Sequence, residues 1–172
     1  SDAARFVDQR FPFGRFALNG ELTVPALFSG ALLAGSGVAA RAYARTATTQ
    51  SDAAWSHFLA VFFVFMAADE VLVIHERAGG SWQLLYAPLA LVAGFAWLVG
   101  LRWLPAGRTR VMWVAGATAW LASQVLEVLQ VEGGRLIHPW MVVPEEMLEM
   151  TGTSLWLLVL LAADQRRLAS LP

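Results

Sequence analysis

Five runs of mostly apolar residues follow one another along the chain, at about Leu22–Ala40, Ala53–Glu76, Leu84–Leu104, Val111–Gln130 and Pro144–Ala163. A helix rises about 1.5 Å per residue, so crossing the roughly 30 Å hydrocarbon core of a bilayer takes about 20 such residues. Lipid offers no partners to backbone N–H and C=O groups, so each run must close its hydrogen bonds on itself as a helix. The pattern predicts an all-α integral membrane bundle of five transmembrane helices. The connections are short and carry Gly79-Gly80, Pro105 with Gly107, and Gly133-Gly134, residues that stop helices and turn the chain. Three regions follow: an interfacial N-terminal segment over residues 1–21, the five-helix domain over 22–165, and a C-terminal tail over 166–172.

Composition agrees with an apolar solvent. Hydrophobic residues make up 58% of the 172 and charged residues only 15%, well away from the balance of a water-soluble domain. A net charge of −1 gives no electrostatic footprint for nucleic acid, so none is expected as a partner. With no cysteine, thiolate metal sites, disulfides and cysteine nucleophiles are all excluded. The first run is followed by "ARAYA", faintly like a signal-peptide cleavage site, but the 20-residue segment ahead of it favours a retained span.

Arginine sets the expected orientation. The 1–2 connection, the 3–4 connection and the C-terminal end carry Arg41, Arg45, Arg102, Arg108, Arg110, Arg166 and Arg167. The opposite side has Arg77 and Arg135 in its connections, plus Arg5, Arg10 and Arg15 near the N-terminus. The positive-inside bias places the first set in the cytoplasm, giving an N-terminus outside and a C-terminus inside the cytoplasmic (inner) membrane of a prokaryote. Phe6, Phe11, Phe13 and Phe16, interleaved with the N-terminal arginines, fit a segment lying on the bilayer surface.

With that topology the acids are one-sided. Asp69, Glu70, His75 and Glu76 close the second run, Glu127 lies late in the fourth, and Glu145, Glu146 and Glu149 open the fifth. All fall in the outer half. At about 100° per residue, Glu145, Glu146 and Glu149 share one arc of their helix, and Ser123, Gln124, Glu127 and Gln130 form a polar stripe on theirs. Asp69 and Glu76 are nearly eclipsed two turns apart, with Glu70 about 100° to one side and His75 about 100° to the other, so all four cannot point at one centre from a regular helix. A carboxylate inside the hydrocarbon costs at least about 2.5–3.5 kcal/mol, and several together repel. Protonation, an arginine partner or a bound cation can compensate. Arginine is scarce on that side, and imidazole among carboxylates suits iron, manganese or zinc. The expected ligands of a divalent metal ion are Glu70, His75, Glu127, Glu146 and Glu149, with Asp69 and Glu76 as general base or supporting groups. Glu76 and Glu145 also read as interfacial, solvated acids. Gly152, one turn beyond Glu149, admits a close helix neighbour.

The pattern Asp-Glu-x-x-x-Ile-His-Glu at Asp69–Glu76, with Glu-Glu-x-x-Glu-x-x-Gly at Glu145–Gly152, resembles a group of small prokaryotic multi-pass membrane proteins without an assigned activity. The resemblance implies a helical bundle whose two motifs belong together, and no reaction. Three functions remain open. The first is a carboxylate/histidine metal centre near the outer face, with metal-dependent chemistry on a lipid or quinone. The second is an accessory subunit of a larger respiratory or photosynthetic membrane complex. The third is cation or proton handling. Membrane lipid, a larger complex or further copies of the chain are the expected partners. No Gly-x-Ser-x-Gly, phosphate-binding glycine loop or His-Glu-x-x-His is present to choose a reaction.

Overall fold

The computed structural model describes residues 24–72, 74, 82–132, 135–136 and 138–170. Among them are five long helices: α1 (Val24–Arg45), α2 (Gln50–Leu72), α3 (Trp82–Trp103), α4 (Arg108–Gln130) and α5 (Val142–Ala169). The α4–α5 connection holds a two-residue antiparallel ladder, β1 (Val131–Glu132) with β2 (Arg135–Leu136), and a 3₁₀ turn at Pro139–Met141. Four of the helices contain segments long and apolar enough to cross a membrane: Gln50–Leu72, Tyr86–Trp103, Arg108–Leu129 and Val142–Ala169. The expectation of five such spans is reduced to four on that criterion. Helix α1 spends Gly30, Gly35, Gly37, Ser29 and Ser36 on close packing, which lowers its hydropathy while leaving its 22 residues long enough to match its neighbours.

The solvent pattern is inverted relative to a water-soluble domain. Exposed side chains include Leu91, Phe95, Val61, Val38 and Val111, each at least 66% accessible and spread over four helices. Buried ones include Ser29, Ser36, Asp52, Ser56, Asp69, Ser123, Glu145 and Thr153. Such a surface in water would be a large apolar patch open to association, whereas in lipid it is the expected outside.

Helix α1 packs along α2 and α5, and α4 along α5. Helix α3 lies at the edge against α2, with Trp97 reaching α4. Pro88 sits inside α3 and removes one rung of its hydrogen-bond ladder. Close approaches are made by glycine. A Cβ on Gly152 would stand 2.7 Å from the Gly116 carbonyl oxygen, and one on Gly37 would meet Val64 at 2.9 Å. The first contact pins α4 to α5, as expected for Gly152; the second pins α1 to α2. Between them runs a cluster of rings. Trp55, Trp113 and Trp156 follow one another at 6.1 and 6.0 Å, with Phe63 5.6 Å from Trp156. The indole N–H groups of the fully buried tryptophans find backbone carbonyls: Trp55 Nε1 donates to Ala96 O at 2.7 Å, and Trp113 Nε1 to Trp97 O at 3.0 Å. Aromatic rings with a polar handle thus fill the middle of the bundle and lock neighbouring helices together.

Candidate functional site

Three helices bring their acids to one end. Helix α2 supplies Glu70 near its C-terminus, α4 supplies Glu127 in its last turns, and α5 supplies Glu145, Glu146 and Glu149 from its first turns. The chain reverses through the short ladder and the 3₁₀ turn, so the end of α4 and the start of α5 are held side by side. The Gly116–Gly152 crossing then fixes how closely those two helices run just below the acids. Glu146 lies within electrostatic reach of Glu145, Glu70 and Glu127. Glu149 lies within reach of Glu70, Glu145, Glu146 and Glu127. Five carboxylates from three helices therefore share one region of the bundle.

Most of the site residues expected from the sequence belong to this group: Glu70, Glu127, Glu146 and Glu149, all partly buried. His75 and Glu76 lie outside the described residues, as do Arg77 and the N-terminal segment. Glu145 is a difference. Its place at the membrane border fitted a solvated acid, yet its side chain is only 8% exposed and joins the cluster. The helix starts at Val142 rather than at Pro144, so Glu145 is already one turn inside the bundle. Asp69 takes the other direction. It is buried, and the Tyr86 hydroxyl of α3 donates to its Oδ1 at 2.8 Å. The 100° step between Asp69 and Glu70 sends one acid to α3 and the other toward α5. Tyr86 was not singled out by the sequence; the sole phenol in an apolar run, it was a signal that a polar partner had to be near.

Among the described residues, no three His, Asp or Glu side chains stand in ligand geometry about one point. Two buried hydroxyls, Ser29 Oγ on α1 and Thr153 Oγ1 one turn beyond Glu149, have no hydrogen-bond partner among the described residues. On the lipid side, a groove of about 320 Å³ between α1 and α5 is lined by Phe28, Met147, Met150, Thr151, Ser154 and Leu155.

The arginine-rich end is built differently. Asp52, a border residue of the second run, is fully buried and paired with Arg167. Arg167 falls in the C-terminal stretch beyond the last apolar run, yet α5 continues to Ala169 and so brings the guanidinium back over the bundle. It lies 3.6 Å from the centroid of the Tyr43 ring, and the Tyr43 hydroxyl donates to Trp103 O at 3.1 Å. Thr46 Oγ1 donates to Asp164 Oδ1 at 3.3 Å. His57, next to this end, is exposed on the outer surface of α2.

A family model described as a domain of unknown function (DUF8692) matches residues 11–163. No curated protein and no solved structure matches the chain. The family match agrees with the resemblance to proteins without an assigned activity.

Proposed function

The chain belongs to this family of unknown function, and from that premise we propose that its carboxylate cluster is the cation-binding centre of a helical membrane protein. The observation that carries the proposal is the convergence of Glu70, Glu127, Glu145, Glu146 and Glu149 from three separate helices. Charges of one sign gathered in a weakly polar surround raise one another's energy, and a cation removes the penalty for all of them together. A divalent transition ion is the first candidate, with iron, manganese and zinc suited to carboxylate and imidazole donors. Glu70, Glu127, Glu146 and Glu149 are the proposed ligands, joined by His75, five residues after Glu70 in the sequence, with Glu145 sharing the charge. Binding draws side chains that now lie apart onto one ion by rotamer change. The unsatisfied Ser29 and Thr153 hydroxyls supply nearby polar atoms for water. Asp69, held by Tyr86 and turned toward α3, is proposed as a supporting group at the edge of the centre rather than as its general base.

Flux of ions across a single chain is the weaker reading. Between the acids and the Asp52–Arg167 pair lie Trp113, Trp156, Phe63, Val159 and Leu160, all buried and apolar. The cluster is therefore proposed to be reached from the arginine-poor side only.

The test is binding. Purified protein in detergent or nanodiscs is loaded with Mn²⁺, Fe²⁺ or Zn²⁺, desalted and analysed for bound metal. Retention of about one ion or more per chain, reduced at least tenfold by Glu70→Gln with Glu149→Gln, is the expected result. A wild-type protein that retains no ion, or a double variant that retains as much as wild type, removes the proposal.

A further inference from the structure

At the opposite end of the bundle, two adjacent arginines have opposite fates. Arg167 turns inward to Asp52 and Tyr43. Arg166, one residue earlier and about 100° round the helix, is exposed. Among the described residues neither Arg166 nor Arg108 has a hydrogen bond or ion pair. Both border one groove of about 300 Å³ between α4 and α5, whose other lining residues are Thr109, Met112, Leu158, Val159 and Ala162. Polar and charged groups thus stand at the rim, and apolar groups line the way down. From Arg166 to Leu158 is eight residues, about 12 Å along the helix, most of the roughly 15 Å of hydrocarbon in one leaflet.

We propose that this groove is a binding site for an anionic phospholipid, its phosphate held by Arg108 and Arg166 and one acyl chain laid between α4 and α5. The assignment rests on charge complementarity in the correct order of depth. Guanidinium groups recognise phosphate through several N–H donors in a fixed fork. Met112 and Leu158 offer an adaptable apolar wall where an acyl chain begins. This end of the bundle also carries a surplus of arginine over acid: Asp52 and Asp164 are both engaged within the protein, by Arg167 and Thr46. The positive-inside bias points the same end at the cytoplasmic leaflet, where anionic lipid meets exposed Arg. Gly107, with φ of 84°, makes the turn that starts α4 at Arg108 and so sets that side chain at the groove mouth. The site is independent of the carboxylate cluster and of any ion bound there.

Native mass spectrometry of the full chain, released from micelles containing equal amounts of phosphatidylglycerol and phosphatidylcholine, tests the proposal. Wild type is expected to retain phosphatidylglycerol in preference to phosphatidylcholine by about tenfold or more. Arg108→Gln with Arg166→Gln should abolish the preference, whereas Arg41→Gln with Arg45→Gln, exposed arginines of the same end that lie away from the groove, should keep it. Leu158→Trp fills the groove without changing charge and should lower retention of the anionic lipid. Soluble glycerol phosphate, added as a competitor, should displace little lipid if the acyl chain contributes. Equal retention of both lipids by wild type, loss of preference in the Arg41/Arg45 variant, unchanged retention in Leu158→Trp, or full displacement by glycerol phosphate overturns the site. Thermal unfolding of each variant confirms that it is folded before its lipid content is compared.

Discussion

The two ends of the bundle solve the problem of a buried carboxylate in opposite ways. At the arginine-rich end Asp52 is wholly enclosed, but Arg167 returns over it from a point 115 residues later and stacks on Tyr43. The charge is compensated from within the chain, and the groups are fixed. At the other end Glu70, Glu127, Glu145, Glu146 and Glu149 lie in reach of one another. A fixed pair serves folding. A group of like charges spread over three helices costs folding energy whenever its members are ionised together. The contrast is between one carboxylate paired with a guanidinium and five carboxylates gathered from three helices, where we propose that a cation binds.

The sharpest way to break this comparison is to remove one partner of the finished pair. Arg167→Met leaves Asp52 buried and unpaired, and should cost about 3–5 kcal/mol in reversible unfolding in mixed micelles. Asp52→Asn added to Arg167→Met should recover a large part of that loss, since no uncompensated charge is left. If Arg167→Met unfolds at the wild-type temperature, the two ends are not different in kind.

Packing beneath the acids comes next in size. At Gly152 a Cβ would meet the Gly116 carbonyl oxygen at 2.7 Å. Gly152→Leu should therefore push α4 from α5 and destabilise by about 1–3 kcal/mol. Because the same crossing sets the distance between Glu127 and Glu149, ion retention should fall along with thermal stability. Gly94, which has open space around its Cβ position, is the control: Gly94→Leu should change neither measurement appreciably.

A smaller effect separates Asp69 from the rest of the acids. Tyr86→Phe deletes the hydroxyl that donates to Asp69 and should cost about 1–2 kcal/mol in the same unfolding assay. Metal retention should change little, because Asp69 faces α3 and the proposed ligands face one another. A loss of metal as large as that caused by Glu149→Gln would place Asp69 inside the centre.

The smallest expected change is also the one of opposite sign. In metal-free protein, Glu149→Gln removes one of several buried acids that repel when ionised, and should raise stability by up to about 1 kcal/mol. At Asp52 the same acid-to-amide change should be destabilising, because it leaves Arg167 without its counter-charge. Thermal unfolding of both variants in chelator shows whether the signs differ; matching signs would mean that the carboxylate cluster is compensated from within, like its counterpart.

Much of the candidate site was legible from periodicity. The i, i+1, i+4 spacing of Glu145, Glu146 and Glu149 put them on one arc, and the topology of short connections put that arc on the same side as Glu70 and Glu127. What could not be read was depth to within a turn. Glu145 looked interfacial because Pro144 marked a helix start, whereas the helix begins at Val142 and carries the carboxylate into the interior. Nor could Arg167 be read as part of the structure, because helix ends in a charged, less apolar stretch carry no hydrophobic signature. Its partner Asp52 passed as a border residue for the same reason.

The order of residues alone determined an all-α chain in an apolar solvent, the number and rough limits of its helices, and the gathering of acids at one end. Those are consequences of local rules: backbone hydrogen bonds closed within each segment and side chains advancing by about 100°. Only the tertiary structure decided which acids meet, which one turns away to Tyr86, and that Asp52 finds Arg167. Each of those depends on how far one helix is rotated and slid against the next. That rotation is set by glycine contacts and ring packing between residues distant in sequence, which no periodicity within a single helix records.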